Sequence, residues 1–156
     1  MKLLKSVLFL VLVPGLLIGY FPYWPSITDV EVFATGSFRY LAIPLWVASS
    51  VGMLWCFWNF LVNGRGTPAP IDPPKELVAV GLYRYVRNPM YVAGLTGLFG
   101  WILWSPSLPL IVAPLIFFIA THLFITLYEE STLKKKFGAT YESYLKQVPR
   151  WIPKFK

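Results

Sequence analysis

Three stretches of the chain contain no Lys, Arg, Asp or Glu: Ser6 to Thr28, Tyr40 to Gly64 and Asn88 to Tyr128. A bilayer core of about 30 Å takes roughly 20 helical residues per crossing, so the first two windows each fit one span. The third is too long, since its 41 positions would reach about 60 Å as one helix. Its midpoint reads Trp104-Ser105-Pro106-Ser107-Leu108-Pro109, where two prolines and two serines predict a turn. The pattern therefore predicts an all-α, polytopic membrane protein with about four transmembrane helices, over 5–24, 40–62, 89–104 and 109–128. The last two form a C-terminal helical hairpin.

After the hairpin the pattern changes. Leu133, Phe137, Tyr141, Tyr144, Leu145 and Val148 recur at helical spacing, while Lys134, Lys135, Lys136, Glu142 and Lys146 fill the other positions. That predicts an amphipathic tail helix, broken near Gly138, lying on the membrane or capping the bundle. Between spans two and three, Thr67 to Pro74 contains four prolines, which predicts a stiff, extended connector. The chain divides at this point into an N-terminal pair of helices, 1–62, and a loop, hairpin and tail, 63–156.

Composition agrees with the span count, because 56% of the 156 residues are hydrophobic and 13% are charged. Four spans use about half of the chain, which excludes a soluble catalytic domain of ordinary size. Any chemistry must lie on the spans, their loops or the tail. Thirteen of the fourteen basic residues fall on one side of this topology, Arg39 being the exception. Positive residues are retained on the cytoplasmic side of short loops, so both termini, the long loop and the tail are expected there. The net charge of +7 then suits anionic lipid headgroups, and nucleic acid is not an expected partner. Lys2 and Lys5 followed by an apolar run imitate a secretory signal. The run passes into Tyr20-Phe21-Pro22-Tyr23-Trp24-Pro25, an interfacial aromatic cluster, so the segment is expected to be retained.

Unusual residues concentrate at both ends of the hairpin. Gly81-Leu82-Tyr83-Arg84-Tyr85-Val86-Arg87-Asn88-Pro89-Met90-Tyr91 enters it. There Asn88 and Pro89 predict a helix start, with Asn88 as the capping residue. The arginines and tyrosines suit either headgroup anchoring or a binding site. Glu129 and Glu130 leave the hairpin, and helical geometry turns adjacent residues about 100° apart. One inward carboxylate is therefore expected, with the other pairing with lysines such as Lys134. Gly94, Gly97 and Gly100 inside span three predict close helix packing. Cys56 and His122 are the sole residues of their types, so no multi-histidine or thiolate metal centre is expected. His122 suits a core position or an interior role near Glu129.

Taken together, Gly81 to Tyr91, Glu129-Glu130-Ser131-Thr132-Leu133, Phe137-Gly138, Tyr141, Tyr144 and Val148-Pro149-Arg150 resemble the isoprenylcysteine carboxyl methyltransferase and phospholipid methyltransferase superfamily. The resemblance covers roughly the last ninety residues. It implies S-adenosyl-L-methionine as cofactor, held by the segments entering and leaving the hairpin. On these positions it implies that Gly81, Leu82 and Tyr83 line the cofactor with backbone groups. Asn88, Pro89, Tyr91 and Glu129 would contact it as well, with Arg87, Glu129 and Arg150 as the catalytic set and no metal. A sulfonium cation suits aromatic faces such as Tyr83, Tyr85 and Tyr91 and a carboxylate such as Glu129. The implied substrate is lipophilic or prenylated, methylated on a carboxylate or an amine headgroup. Many carboxyl methyltransferases of the superfamily have Arg-His-Pro where this chain has Arg87-Asn88-Pro89. Eukaryotic isoprenylcysteine enzymes also carry more spans ahead of this motif. The competing expectation is a non-catalytic membrane scaffold or lipid-binding protein.

Overall fold

The computed structural model describes residues 15–64 and 75–154. The first half of the expected span one and most of the proline-rich connector lie outside the described residues. What is described is helices joined by turns and loops, with one isolated bridge between Glu31 and Ser107.

A π-turn over Gly15–Tyr20 leads into α1, Phe21–Thr28, which ends four residues beyond the expected limit of span one. A 3₁₀ turn, Gly36–Leu41, leads into α2, Ala42–Val62. The loop carries a second 3₁₀ turn, Gly81–Arg84, before α3, Pro89–Trp104. α4 follows as Leu108–Phe124, runs through a π-turn at Ile125–Glu129, and continues as α5, Glu130–Phe137. α6, Ala139–Gln147, completes the order. Gly36–Val62 and Leu108–Phe137 are each long and apolar enough to cross a membrane, and Pro89–Trp104 is a shorter apolar helix.

The expected tail helix is thus two helices with different roles. α5 continues the hairpin, and a break at Gly138, φ +52°, turns the chain into α6. A glycine adopts that left-handed conformation without the Cβ penalty that other residues meet. The predicted apolar stripe survives the break: Tyr141 and Val148 are buried, and Leu133, Phe137, Tyr144 and Leu145 are partly so.

α2 and α3 pack most closely, and the small residues of α3 explain how. A Cβ on Gly97 would stand 2.8 Å from Ser49 Oγ, and one on Gly100 would stand 2.6 Å from Trp46 Nε1. A Cβ on Gly94 would stand 3.0 Å from the ring of Phe117 on α4. Ser49 Oγ donates to the Ala93 carbonyl at 2.7 Å, which crosslinks α2 to α3 where their backbones approach. The opposite face of α2 exposes Ile43, Val47, Val51, Trp55, Trp58 and Val62 at helical spacing, each at least half exposed. A stripe of large apolar side chains turned outward is what a lipid environment accommodates and water does not.

The turn between α3 and α4 is pinned at the far end from the loop. Val32 N–H donates to the Pro106 carbonyl at 2.9 Å. The Arg39 guanidinium donates to the Trp104 carbonyl at 3.1 Å and lies over the Trp104 ring. The single basic residue expected on this side thus closes the hairpin turn.

Candidate active site

The entering loop is pressed onto the end of α2. Gly64 accepts from the Lys75 N–H at 2.8 Å, and Val78 joins Cys56 and Tyr83 in a buried apolar cluster. Gly81 has φ +59°, and a Cβ there would come within 2.5 Å of Asn59 Nδ2 and 3.1 Å of Trp55 Nε1. Both the conformation and the space require glycine.

The expectation for Tyr83 needs correction. Its ring is buried at 7% exposure and packs edge-on against Phe60, 5.5 Å between centroids. It is a core residue here, with no open face for a cation. Its carbonyl accepts from Tyr144 Oη at 2.7 Å, and the Leu82 carbonyl accepts from the Tyr85 and Val86 amides. The loop backbone therefore satisfies itself and α6. Burial, then the neighbouring Tyr141, raises the Tyr144 phenol well above its ordinary range, so it stays protonated and donating. Tyr85 is more exposed, and its carbonyl accepts from the Lys154 N–H at 3.0 Å.

Asn88 also departs from expectation. Its side chain makes no cap bond to α3. Instead Asn88 Nδ2 donates to the Arg150 carbonyl at 3.1 Å, and the neighbouring Arg87 N–H donates to the Pro149 carbonyl at 2.8 Å. A capping side chain must offer an oxygen to the first-turn amides; this one offers its nitrogen to the tail. Pro89, buried at the first helical position, has no N–H to satisfy. The amides of Met90 and Tyr91 are not capped by Asn88.

The charged groups converge between the hairpin's two ends and the tail. Arg87 donates to Glu130 Oε1 at 2.9 Å. Arg150 forks onto the same carboxylate, Nε to Oε1 at 2.9 Å and a terminal nitrogen to Oε2 at 3.0 Å. Side-chain exposures are 14% for Arg87, 16% for Glu130 and 29% for Arg150, so the cluster is largely withdrawn from water. Tyr141 stands against Arg87, its phenol pushed up to about 12 by burial and then by Glu130. It is therefore neutral beside the guanidinium.

Glu130 is the carboxylate left for water once the resemblance places Glu129 in the pocket, and the π-turn accounts for the difference. A π-turn carries about one extra residue per turn, so rotation across Ile125–Glu129 lags by about one residue's 100°. Glu130 arrives close to where Glu129 would point in an uninterrupted α-helix. Glu129 is turned back toward α3, where the Tyr91 hydroxyl stands 3.5 Å from Oε2. Both carboxylates are inward, with different partners. Among the described residues, no cation pairs with Glu129.

Arg87, Glu129, Arg150, Asn88 and Tyr91 are thus brought together, with Glu130 and Tyr141 added to the set. Gly81, Leu82 and Tyr83 form the supporting wall behind it. His122 lies away from the carboxylates and accepts from Trp151 Nε1 at 3.2 Å.

The arrangement separates charge. Two guanidiniums share one carboxylate near the start of α3, leaving an excess positive charge, which favours an anion. Beside this cluster, Glu129 and the Tyr91 ring offer negative charge and an aromatic face, which favours a cation. Arg87 Nε is buried without a hydrogen-bond partner, a further donor on the same guanidinium. A zwitterionic ligand carrying a carboxylate and a sulfonium fits that donor set.

The chain matches the phospholipid methyltransferase family over residues 38–140 and belongs to it. The match covers α2, the loop, the hairpin and α5, about two thirds of the chain. No individually curated protein matches it significantly. The family lies within the superfamily of membrane methyltransferases that the loop and tail motifs resemble.

Proposed function

We propose that this protein transfers a methyl group from S-adenosyl-L-methionine to a lipid-soluble or membrane-anchored acceptor at the cytoplasmic face of the membrane. Family membership supports a methyltransferase acting on lipid-related substrates. The observation that carries the finer reading is the split site: Arg87 and Arg150 on Glu130, with Glu129 left beside Tyr91. Residues 63–156 form the catalytic region in this reading, and 1–62 supply the supporting helices. Four spans with both termini cytoplasmic follow from the charge pattern.

When bound, the cofactor supplies an electrophilic methyl on a cationic sulfur. Arg87 and Arg150, with the Met90 and Tyr91 amides, would hold its carboxylate. Tyr91 and Glu129 would face the sulfonium. Enclosure by the loop and tail excludes water and aligns donor and acceptor, on which an in-line displacement depends.

Glu129 also bears on the acceptor. A carboxylate acceptor would be brought beside an existing negative charge, which opposes it. An ammonium headgroup is attracted there and must lose a proton before its nitrogen attacks, and Glu129 is placed to accept that proton. We therefore favour a lipid amine headgroup over a prenylated carboxylate.

In detergent the protein is expected to bind S-adenosyl-L-methionine or its demethylated product at micromolar dissociation constants, about 8 kcal/mol. Isothermal titration checks this, and a folded sample that gives no heat with either ligand supports the non-catalytic scaffold instead. Orientation is tested by cysteine labelling in a Cys56→Ala background. Probes at Lys75 and Lys154 should react only from the cytoplasmic side. One at Leu108, exposed in the hairpin turn where Ser107 is fully buried, should react only from the other.

A further inference from the structure

The chain beyond α6 is a short strap, residues 148–154, that lies past the family-matched segment. It carries Arg150 into the site, and it is held from two sides. On the loop side, Arg87 N–H donates to Pro149, Asn88 Nδ2 donates to Arg150, and Lys154 N–H donates to Tyr85. On the hairpin side there are two ties: the fork of Arg150 on Glu130, and Trp151 on α4.

The second tie has a defined geometry. The Trp151 ring stacks on His122 with 23° between planes and 6.2 Å between centroids, and it packs on Phe118 at 4.8 Å. Phe118 and His122 stack on each other one turn apart along α4, at 5.8 Å. The indole N–H donates to His122 Nδ1 at 3.2 Å. Indole has a donor and no acceptor, so the contact requires a ring nitrogen carrying a free lone pair at that position. A general interfacial anchor would need only the apolar ring.

The two ties differ in what a ligand does to them. An anion bound at Arg150 competes with Glu130 for the guanidinium and weakens the fork. His122 lies seven residues, about two helical turns, before Glu129, and the Trp151–His122 bond uses neither arginine nor carboxylate. That bond persists while the fork is shared.

We propose that His122 is a positioning residue for the methyl-transfer site: by accepting the Trp151 indole N–H it pins the strap, so that Arg150 stays in the site when its ion pair with Glu130 is given up to the cofactor. The proposal rests on the reading of the site given above. It assigns His122 no contact with cofactor or acceptor.

The test uses the full-length protein in detergent and reads amide hydrogen exchange at Arg87 and Lys154, the two N–H groups whose bonds join strap and loop. Trp151→Phe keeps the apolar ring and removes the donor; His122→Phe keeps the stack and removes the acceptor. Each is expected to speed exchange at both amides at least tenfold and to raise the S-adenosyl-L-methionine dissociation constant by a similar factor, with exchange inside α2 unchanged. The double variant should be no worse than either single one, because both remove the same bond. His122→Asn restores an acceptor oxygen and should recover most of the protection. Wild-type protection at Arg87 and Lys154 in both single variants, or additive losses in the double variant, would overturn the latch. Should His122→Phe fail to fold, Trp151→Phe and His122→Asn decide the question. A wild-type protein that shows the exchange pattern but binds no cofactor would refute the enzyme reading and leave the strap contact standing.

Discussion

Glu130→Gln is expected to produce the largest loss of any single substitution in the site. Removing the carboxylate's charge leaves Arg87 and Arg150 facing each other, both less than a third exposed. Breaking a buried ion pair at one partner costs about 3–5 kcal/mol, and the residual exposure of Arg150 argues for the lower end. Glutamine can still accept one hydrogen bond but cannot neutralise two guanidiniums or take the Arg150 fork. About 3 kcal/mol lowers the melting temperature of a domain of this size by about 6–12 °C. Methyl transfer should fall 100-fold or more, because both arginines lose the group that orients them. Thermal unfolding and a transfer assay on Glu130→Gln beside Glu130→Asp check this. Aspartate keeps the charge and should recover part of the stability. Stability and activity within twofold of wild type would return Glu130 to the solvent-facing role that ordinary helical phase gives it.

That comparison shows where local pattern reaches its limit. The hairpin was legible because its limits depend on nearby residues: Pro89 starts α3, the Ser-Pro turn ends it, and Gly138 breaks the tail. The glycines of α3 pack closely as their spacing predicts. The direction of Glu130 was not legible, since it depends on a π-turn at Ile125–Glu129 that no residue type in the segment announces. Tyr83 and Tyr91 sit in one motif and look alike in sequence. The fold sends one into the core against Phe60 and the other toward Glu129. Asn88 reads as a cap from its neighbours, but its partner is 62 residues away. Trp151 and His122 each suit an interfacial or core position, and only their meeting gives them a joint role.

Glu129→Gln is expected to separate electrostatic stabilisation from shape. The substitution keeps the side chain's size and its contact with the Tyr91 hydroxyl, and removes a carboxylate that no cation pairs with among the described residues. Stability should therefore change little, in contrast to Glu130→Gln, because no ion pair is broken and a partly buried charge is removed. Cofactor binding or methyl transfer should fall by tenfold or more, about 1.4 kcal/mol, which exceeds what an exposed pair contributes. The neutral demethylated product, lacking the sulfonium, should bind the variant and the wild type alike. That difference distinguishes a charge acting on the sulfonium from general damage to the pocket. If the acceptor is an ammonium headgroup, transfer should fall further than binding does, since the proton acceptor is lost as well. Titrating both ligands into Glu129→Gln, with a transfer assay on vesicles containing an amine-headgroup lipid, checks each part. Equal losses for both ligands, or no loss for either, would remove Glu129 from the cationic half of the site and leave Tyr91 as its remaining support.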